Sequence, residues 1–201
     1  DKVSGYVGNF KVRVRRKARY VVESECTACG DCSDVCPVAV PAEFQFGLSS
    51  RKAIYIPFPQ AVPSSYVLDM DACLGNNPIA CGKCYDACEK KCIDYDMQDS
   101  FVELDVGAII VAIGMDTYDP SSLEEFGYGK YPDVLTSMEF ERMLSVDGPT
   151  AGHLVRPSDG KEPKSVAFIQ CVGSRSRDER CNEYCSNICC MNTVKDTLLL
   201  R

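Results

Sequence analysis

Four cysteines near the start of the chain lie at short, regular spacings. They form the run C-x-x-C-x-x-C-x-x-x-C-P, whose members are Cys26, Cys29, Cys32, Cys36 and Pro37. Three thiolates two residues apart can bind three irons of one cubane, and a fourth after a turn can reach a second cluster. The alternative is a single zinc ion, which is more often held by two separated C-x-x-C pairs. The run therefore predicts a site for a 4Fe–4S cluster.

A second group of cysteines follows, with the members Cys73, Cys81, Cys84, Cys88 and Cys92. It resembles the second half of a bacterial-type two-cluster ferredoxin, except that seven residues separate Cys73 from Cys81 and Glu89 follows Cys88 in place of proline. Cross-over ligation in that pattern gives one cluster to Cys26, Cys29, Cys32 and Cys88 and the other to Cys36, Cys73, Cys81 and Cys84. Cys92 is left over, either as a buried free thiol or as a replacement for Cys88.

A third group near the end of the chain matches no generic ferredoxin spacing. Its members are Cys171, Cys181, Cys185, Cys189 and Cys190. Cys185 and Cys189 share a face of a predicted helix, and Cys171 follows a predicted strand. Spacing alone leaves two alternatives open, which are a third cluster and a set of buried structural or redox thiols.

Composition narrows the class of protein further. Fourteen cysteines in 201 residues exceed ordinary usage, and the formal net charge of −7 argues against a nucleic-acid partner. One histidine, His153, excludes most Cys/His zinc modules and a Rieske centre. No apolar run approaches the roughly 20 residues that span a bilayer, and no signal peptide opens the chain. We therefore expect a cytoplasmic protein with redox partner proteins and no membrane insertion.

The predicted elements that must position these cysteines alternate between strands and helices. Polar and apolar residues alternate up to Val22, with a turn at Gly8-Asn9, which predicts a β-meander. Proline makes residues 53–63 an extended connection. The later predictions are a buried strand over 107–114, a loop over 116–133, a helix capped at Thr136 or Ser137 and running to Leu144, a strand over 165–170 and a helix over 183–200. That last helix reaches the end without a stop signal, which predicts a longer parent protein.

Several segments together resemble the A subunit of heterodisulfide reductase and its homologues. They are the two ferredoxin-like cysteine groups, Arg51–Pro63, Pro149–Gly160, Phe168–Arg175 and Tyr184–Met191. The resemblance implies an α+β fold in which a two-cluster ferredoxin-like domain is inserted in a fragment of an α/β, thioredoxin-reductase-like FAD domain. The implied boundaries are a β-meander of the flavoprotein domain over 1–22, the ferredoxin-like domain over 23–98 and the partial FAD domain over 99–201.

The resemblance also implies cofactors and site residues. A third cluster would bind Cys171, Cys185, Cys189 and Cys190, with Cys181 as an extra thiol. The stretch that ends at Gly114 resembles the strand that approaches FAD in such flavoproteins, with Ile113 in the place of threonine. No G-x-G-x-x-G is present, because the stretch from Gly127 and Gly129 lacks the last glycine. FAD is therefore expected in the full-length protein rather than as a complete site here.

Three functions are compatible with these observations. The first is iron–sulfur electron transfer in a flavin-based, electron-bifurcating complex of the heterodisulfide reductase type, with other redox subunits as partners. Related subunits serve quinone-interacting and benzoyl-CoA reductase complexes. The second is a stand-alone soluble carrier of the ferredoxin type, and the third is a structural zinc module. We assign no catalytic residue, because no nucleophile–base constellation is visible in this part of an oxidoreductase.

Overall fold

A computed structural model of the chain describes residues 1–75 and 80–200. The fold is α+β, as predicted. Within the described residues the helices are α1 (Asp31–Asp34), α2 (Lys83–Ala87), α3 (Ser137–Leu144) and α4 (Cys189–Leu199). The strands are β1 (Lys2–Tyr6), β2 (Asn9–Arg16), β3 (Val40–Pro41), β4 (Ser50–Arg51), β5 (Ile54–Tyr55), β6 (Val67–Leu68) and β7 (Ser100–Val106). The chain divides into two compact units, one of residues 1–44 and 50–114 and the other of residues 45–49 and 115–201.

The first unit contains an antiparallel sheet with the strand order β1-β2-β7. Tyr6 pairs with Asn9, so the turn of the first hairpin is Val7-Gly8, one residue earlier than predicted. Gly8 has a φ of 89°, a conformation that glycine adopts without strain. The predicted alternating strands are therefore present, and β7 adds the third strand of the meander from a distant part of the sequence.

A small hydrophobic core lies beside this sheet in the same unit. Val21 bridges to Ile93, and Ile54 on β5 is fully buried beside β6. The buried cysteines of the first two groups pack into the same cluster of apolar side chains. Residues 53–63 contain no helix, as predicted, but only Ile54–Tyr55 among them forms a strand, and bends and a turn follow it instead of an extended connection. Cysteines of both groups therefore pack in the same hydrophobic core.

The apolar run over 107–114 differs from the prediction of a buried strand. β7 ends at Val106, and the run is extended without a strand partner among the described residues. Ile110 and Ile113 are each 91% exposed. The prediction of burial was wrong because an apolar run becomes a buried strand only where neighbouring strands supply hydrogen bonds and cover both faces.

The second unit contains the predicted capped helix. The Thr136 hydroxyl accepts from the Glu139 N–H at 3.3 Å, and the Glu139 carboxylate accepts from the Thr136 N–H at 2.6 Å, which forms a capping box at the start of α3. The predicted loop over 116–133 includes two short 3-10 helices, Pro120–Ser122 and Glu124–Phe126. The start and the length of α3 are therefore as the sequence predicted.

Two other predictions for this unit were wrong. Residues 165–170 form no strand, although the Phe168 ring packs edge-on against Phe140 at 5.5 Å between ring centroids. The last helix begins at Cys189 rather than near residue 183, because Asn187 adopts a left-handed φ of 60° that interrupts a helix. No helix in the part of the chain that the structure describes is long and apolar enough to cross a membrane.

Candidate metal centres

The two ferredoxin-like cysteine groups are presented by helices of the same construction. α1 follows Gly30 and α2 follows Gly82, and these glycines have φ values of 103° and 74°. Such values suit glycine and turn the chain sharply before each helix. Cys32 and Cys84 each occupy the second position of their helix and are buried. The sequence G-x-C therefore places one thiol of each group at an equivalent point of the scaffold.

The cysteines surround two separate cavities of the first unit. Cys26, Cys29, Cys32 and Cys88 line the first cavity together with Cys92. The second is lined by Cys36, Cys73, Cys81 and Cys84. The fourth cysteine of each run thus reaches the cavity of the other run, which is the exchange expected from the ferredoxin pattern. The insertion between Cys73 and Cys81 lies partly outside the described residues.

Two thiols of the first cavity, Cys32 and Cys92, resist ionisation when they have no cation beside them. Burial, followed by the like charges of Cys26 and Cys29, raises the pKa of Cys32 to about 12. The sulfurs of Cys88 and Cys92 are 3.5 Å apart. Burial and the bond to Cys88 raise the pKa of Cys92 to about 12. Burial also acts to raise the pKa of Cys88, but hydrogen bonds from Cys92 and nearby backbone outweigh it and lower that pKa. Of this pair, Cys88 is the better thiolate.

The second cavity contains a polar group that the sequence reasoning missed. The Tyr95 hydroxyl lies 3.2 Å from the Cys84 sulfur. Burial, assisted by the charges of Cys73 and Cys36, raises the pKa of Cys84 against the opposing effect of this hydrogen bond. Burial, together with the hydrogen bond to Cys84, raises the pKa of Tyr95. No motif pointed to Tyr95, since its contact depends on the bridge between Val21 and Ile93 that brings distant segments together.

The third group converges at the start of α4. Cys189 and Cys190 are its first two residues, and Cys171 has a left-handed φ of 59°. A backbone hydrogen bond from Cys171 is the largest influence on Cys189 and lowers its pKa. The pKa of Cys190 is raised, first by Cys189 and also by the charges of Cys171 and Cys185. The other three predicted ligands of this group therefore all act on Cys190.

The positions of Cys185 and Cys181 can be compared with the sequence prediction. Cys185 does not share a helix face with Cys189, because it lies before α4 and its sulfur accepts from the Asn187 N–H at 3.4 Å. Cys181 lies in a turn, where its N–H donates to the Asp178 carbonyl at 2.9 Å.

Gly114, the predicted flavin contact, has a φ of 73° at the end of the exposed run in the first unit.

The donor sets suit a polynuclear cluster. Among the described residues, no three cysteine, histidine or carboxylate side chains are grouped closely enough to hold one metal ion. The first cavity instead presents five thiols around an open space, and the second presents four. Burial opposes the ionisation of Cys32 and Cys84. These two side chains therefore become favourable thiolates only when a cation binds beside them. The cavities therefore fit sulfur-bound iron by donor type and by arrangement.

The chain was compared with known proteins. No family model matches it. It is 55% identical over 200 residues to the second iron-sulfur A subunit of the CoB–CoM heterodisulfide reductase of Methanopyrus kandleri, which covers 100% of the chain and 30% of that protein. It is 51% identical over 199 residues to the iron-sulfur A subunit of the same reductase in Methanocaldococcus jannaschii, covering 99% of the chain and 29% of the relative.

A third relative is the A subunit of a reductase from another organism. The chain is 47% identical over 201 residues to the A subunit of the H(2):CoB-CoM heterodisulfide,ferredoxin reductase of Methanothermobacter thermautotrophicus, covering 100% of the chain and 29% of that protein. The chain thus spans about 30% of the length of the curated relatives it matches. Along its whole length, the chain is a homologue of one segment of the A subunits of the heterodisulfide reductase family.

Proposed function

We propose that this chain carries electrons through iron–sulfur clusters inside a flavin-based, electron-bifurcating complex of the heterodisulfide reductase type. The observation that supports this most directly is the lining of the two cavities in the first unit, where each cavity receives three cysteines from one sequence group together with cysteines from the other, Cys88 and Cys92 in the first cavity and Cys36 in the second. The names of the relatives, which include iron–sulfur and ferredoxin reductase subunits, agree with this function.

The ligand assignment is part of the proposal. Two 4Fe–4S clusters would occupy the domain over 23–98, one held by Cys26, Cys29, Cys32 and Cys88 and the other by Cys36, Cys73, Cys81 and Cys84. A third would be held by Cys171, Cys185, Cys189 and Cys190 in the segment over 99–201. When bound, each cluster accepts and passes one electron at a time.

The protein's own contribution is position and environment. The buried positions of Cys32 and Cys84 keep water away from the sulfurs, and the common core fixes the two cavities relative to each other within one unit. Fixed spacing and low exposure favour fast electron transfer with little rearrangement. No side chain needs to act as an acid, base or nucleophile, which agrees with the absence of an assigned catalytic residue.

A flavin connection is the finer part of the proposal. The strands over 1–22, β7 and the run that ends at Gly114 would belong to a thioredoxin-reductase-like FAD domain, whose remainder lies in the longer relatives. The exposure of Ile110 and Ile113 supports this, because an apolar run of this kind fits a sheet that further strands cover. The partners would be other redox subunits of the complex.

The alternative of a stand-alone ferredoxin-type carrier accounts for the first two cysteine groups but not for the third. The second unit has its own set of converging cysteines at the start of α4, for which a free carrier has no use. This observation favours a relay inside a larger complex.

Anaerobic reconstitution of the chain with iron and sulfide tests the proposal. We expect about twelve irons and as many acid-labile sulfides per chain, four for each cluster, with broad visible absorption. Replacing the four cysteines of the third group with alanine should leave about eight irons. Tightly bound zinc without labile sulfide would contradict the proposal, and eight irons in the unaltered chain would favour the stand-alone carrier.

A further inference from the structure

Each cavity of the first unit contains one tyrosine near its thiols. Tyr66 lines the first cavity and Tyr95 lines the second. The Tyr95 hydroxyl lies 3.2 Å from the Cys84 sulfur, whereas the Tyr66 hydroxyl makes no hydrogen bond to a thiol among the residues that the structure describes. The two cavities, built from helices of the same construction, therefore differ by one hydroxyl–sulfur contact.

The position of Tyr95 is fixed by the backbone around it. The Asp94 N–H donates to the Tyr20 carbonyl at 3.0 Å, and the Val22 N–H donates to the Cys92 carbonyl at 2.7 Å. The Tyr95 ring is half-buried against the hydrophobic core. A hydroxyl held in this way is preorganised towards Cys84 rather than brought there by a mobile side chain.

We propose that Tyr95 is a tuning residue that raises the reduction potential of the cluster in the second cavity by donating a hydrogen bond to the Cys84 sulfur. The proposal rests on the proposed function, since it requires a cluster at Cys36, Cys73, Cys81 and Cys84. A sulfur bound to iron carries no proton, so in the loaded site only the hydroxyl can be the donor.

The direction of the effect follows from charge. When the cluster takes up one electron from its redox partner, the negative charge on its ligand sulfurs grows and a hydrogen bond to such a sulfur becomes stronger. The Tyr95 bond therefore stabilises the reduced state more than the oxidised state, and the hydroxyl keeps its proton in both. Because Tyr66 makes no equivalent bond, the contact favours the presence of the electron in the second cavity over the first.

The test is the variant Tyr95→Phe in the whole chain, which removes the hydroxyl and keeps the ring. Potentials are measured by anaerobic redox titration followed by electron paramagnetic resonance, after iron and sulfide have been counted. We expect the reduction potential of one cluster in the first unit to become more negative by about 59 mV. For one electron, this shift corresponds to a tenfold change in the equilibrium constant of reduction. The couple that moves should be the one that Cys84→Ala abolishes.

The matched control is Tyr66→Phe, the same change at the other cavity. It should leave both couples in place. Equal shifts in the two variants, or an unchanged potential in a fully loaded Tyr95→Phe chain, would overturn the inference while leaving the proposed clusters intact. Absence of iron and sulfide from the unaltered chain would instead remove the proposed function, so the two failures are distinct.

A second measurement serves if Tyr95→Phe does not load. Site-specific replacement of Tyr95 by a monofluorotyrosine keeps the size of the ring and makes the hydroxyl a stronger donor. The same couple should then move to a more positive potential than in the unaltered chain. A shift of the opposite sign, or none, would contradict the role of the hydrogen bond.

Discussion

Cys92 brings a fifth thiol to a cavity whose predicted cluster needs four. Its sulfur lies 3.5 Å from that of Cys88, and both residues are buried. Their pKa values shift in opposite directions, since the pKa of Cys88 is lowered and that of Cys92 is raised to about 12. Cys88 also keeps the three-residue spacing after Cys84 that the ferredoxin pattern has, which favours Cys88 over Cys92 as the ligand.

The first prediction compares these two residues. Cys88→Ala should lose about four of the twelve expected irons, whereas Cys92→Ala should keep them all, because Cys88 keeps the three-residue spacing after Cys84. Iron and sulfide analysis after anaerobic reconstitution measures both. The opposite pattern would mean that Glu89, in the place of proline, shifts the turn and makes Cys92 the ligand.

The second prediction concerns the third group. Cys185→Ala should lose about four irons, because Cys185 acts on Cys190 at short range together with Cys171 and Cys189. Cys181→Ala is the matched control, since Cys181 lies in the neighbouring turn beside Asp178, and it should retain the full iron content. Full iron in the Cys185 variant would count against this ligand set.

At the scale of elements, local signals were predictable and pairing was not. The start of α3 could be predicted because Thr136 and Glu139 form the capping box with each other. The nine cysteines that line the two cavities are those of the first two sequence groups, although their occupancy by clusters stays a prediction. The sequence wrongly predicted that residues 107–114 are buried and that residues 165–170 form a strand. Both features depend on partners distant in sequence, which local patterns do not reveal.

The loop that carries Cys171 depends on a close contact at Gly173. Its φ is 73°, and a Cβ placed there would lie 2.5 Å from the Tyr118 ring. The Asn182 N–H donates to the Gly173 carbonyl at 2.9 Å, and the Tyr118 hydroxyl donates to the Arg180 carbonyl at 2.9 Å. The ring thus supports both sides of the loop that brings Cys171 towards α4.

The third prediction follows from this contact. Gly173→Ala should destabilise the second unit by more than about 2 kcal/mol, because it adds a steric clash to the roughly 1–2 kcal/mol cost of a left-handed conformation. Gly160→Ala is the control, with a φ of 69° and no heavy atom within 4 Å of the added Cβ. Urea unfolding measures the free energy of each variant, and equal losses would show that the Tyr118 contact is unimportant.

At the scale of the whole molecule, the apolar core and the thiols of the first unit that are proposed to bind metal are one structure. Buried cysteines make up part of the hydrophobic cluster, so the same side chains serve packing when protonated and binding when ionised. The loaded and cluster-free chains should therefore respond differently to pH.

The fourth prediction is that the cluster-free chain loses stability above about pH 9. The pKa of Cys32 is raised from 9.0 to about 12, so its bound proton stabilises the folded form below pH 9, and this contribution is lost as the pH rises towards 12. The loaded chain has no proton to lose at this thiol. Unfolding midpoints of both forms across this range measure the difference.

Matched variants identify the source of this pH dependence. In the cluster-free chain, Cys32→Ala should make the midpoint less dependent on pH, whereas Cys181→Ala, which removes a thiol that has no part in raising the pKa of Cys32, should not. An equally steep decline in the Cys32 variant would assign the effect to other groups.

The uncovered apolar run after β7 affects how the chain behaves in solution. Side chains such as Ile110 and Ile113 are almost fully exposed, and an apolar segment that belongs to no strand among the described residues is a template on which a second copy can add as a strand. Self-association by this route would increase with protein concentration without any loss of native structure. Colloidal stability, rather than folding, would then limit the concentrations at which the chain can be studied on its own.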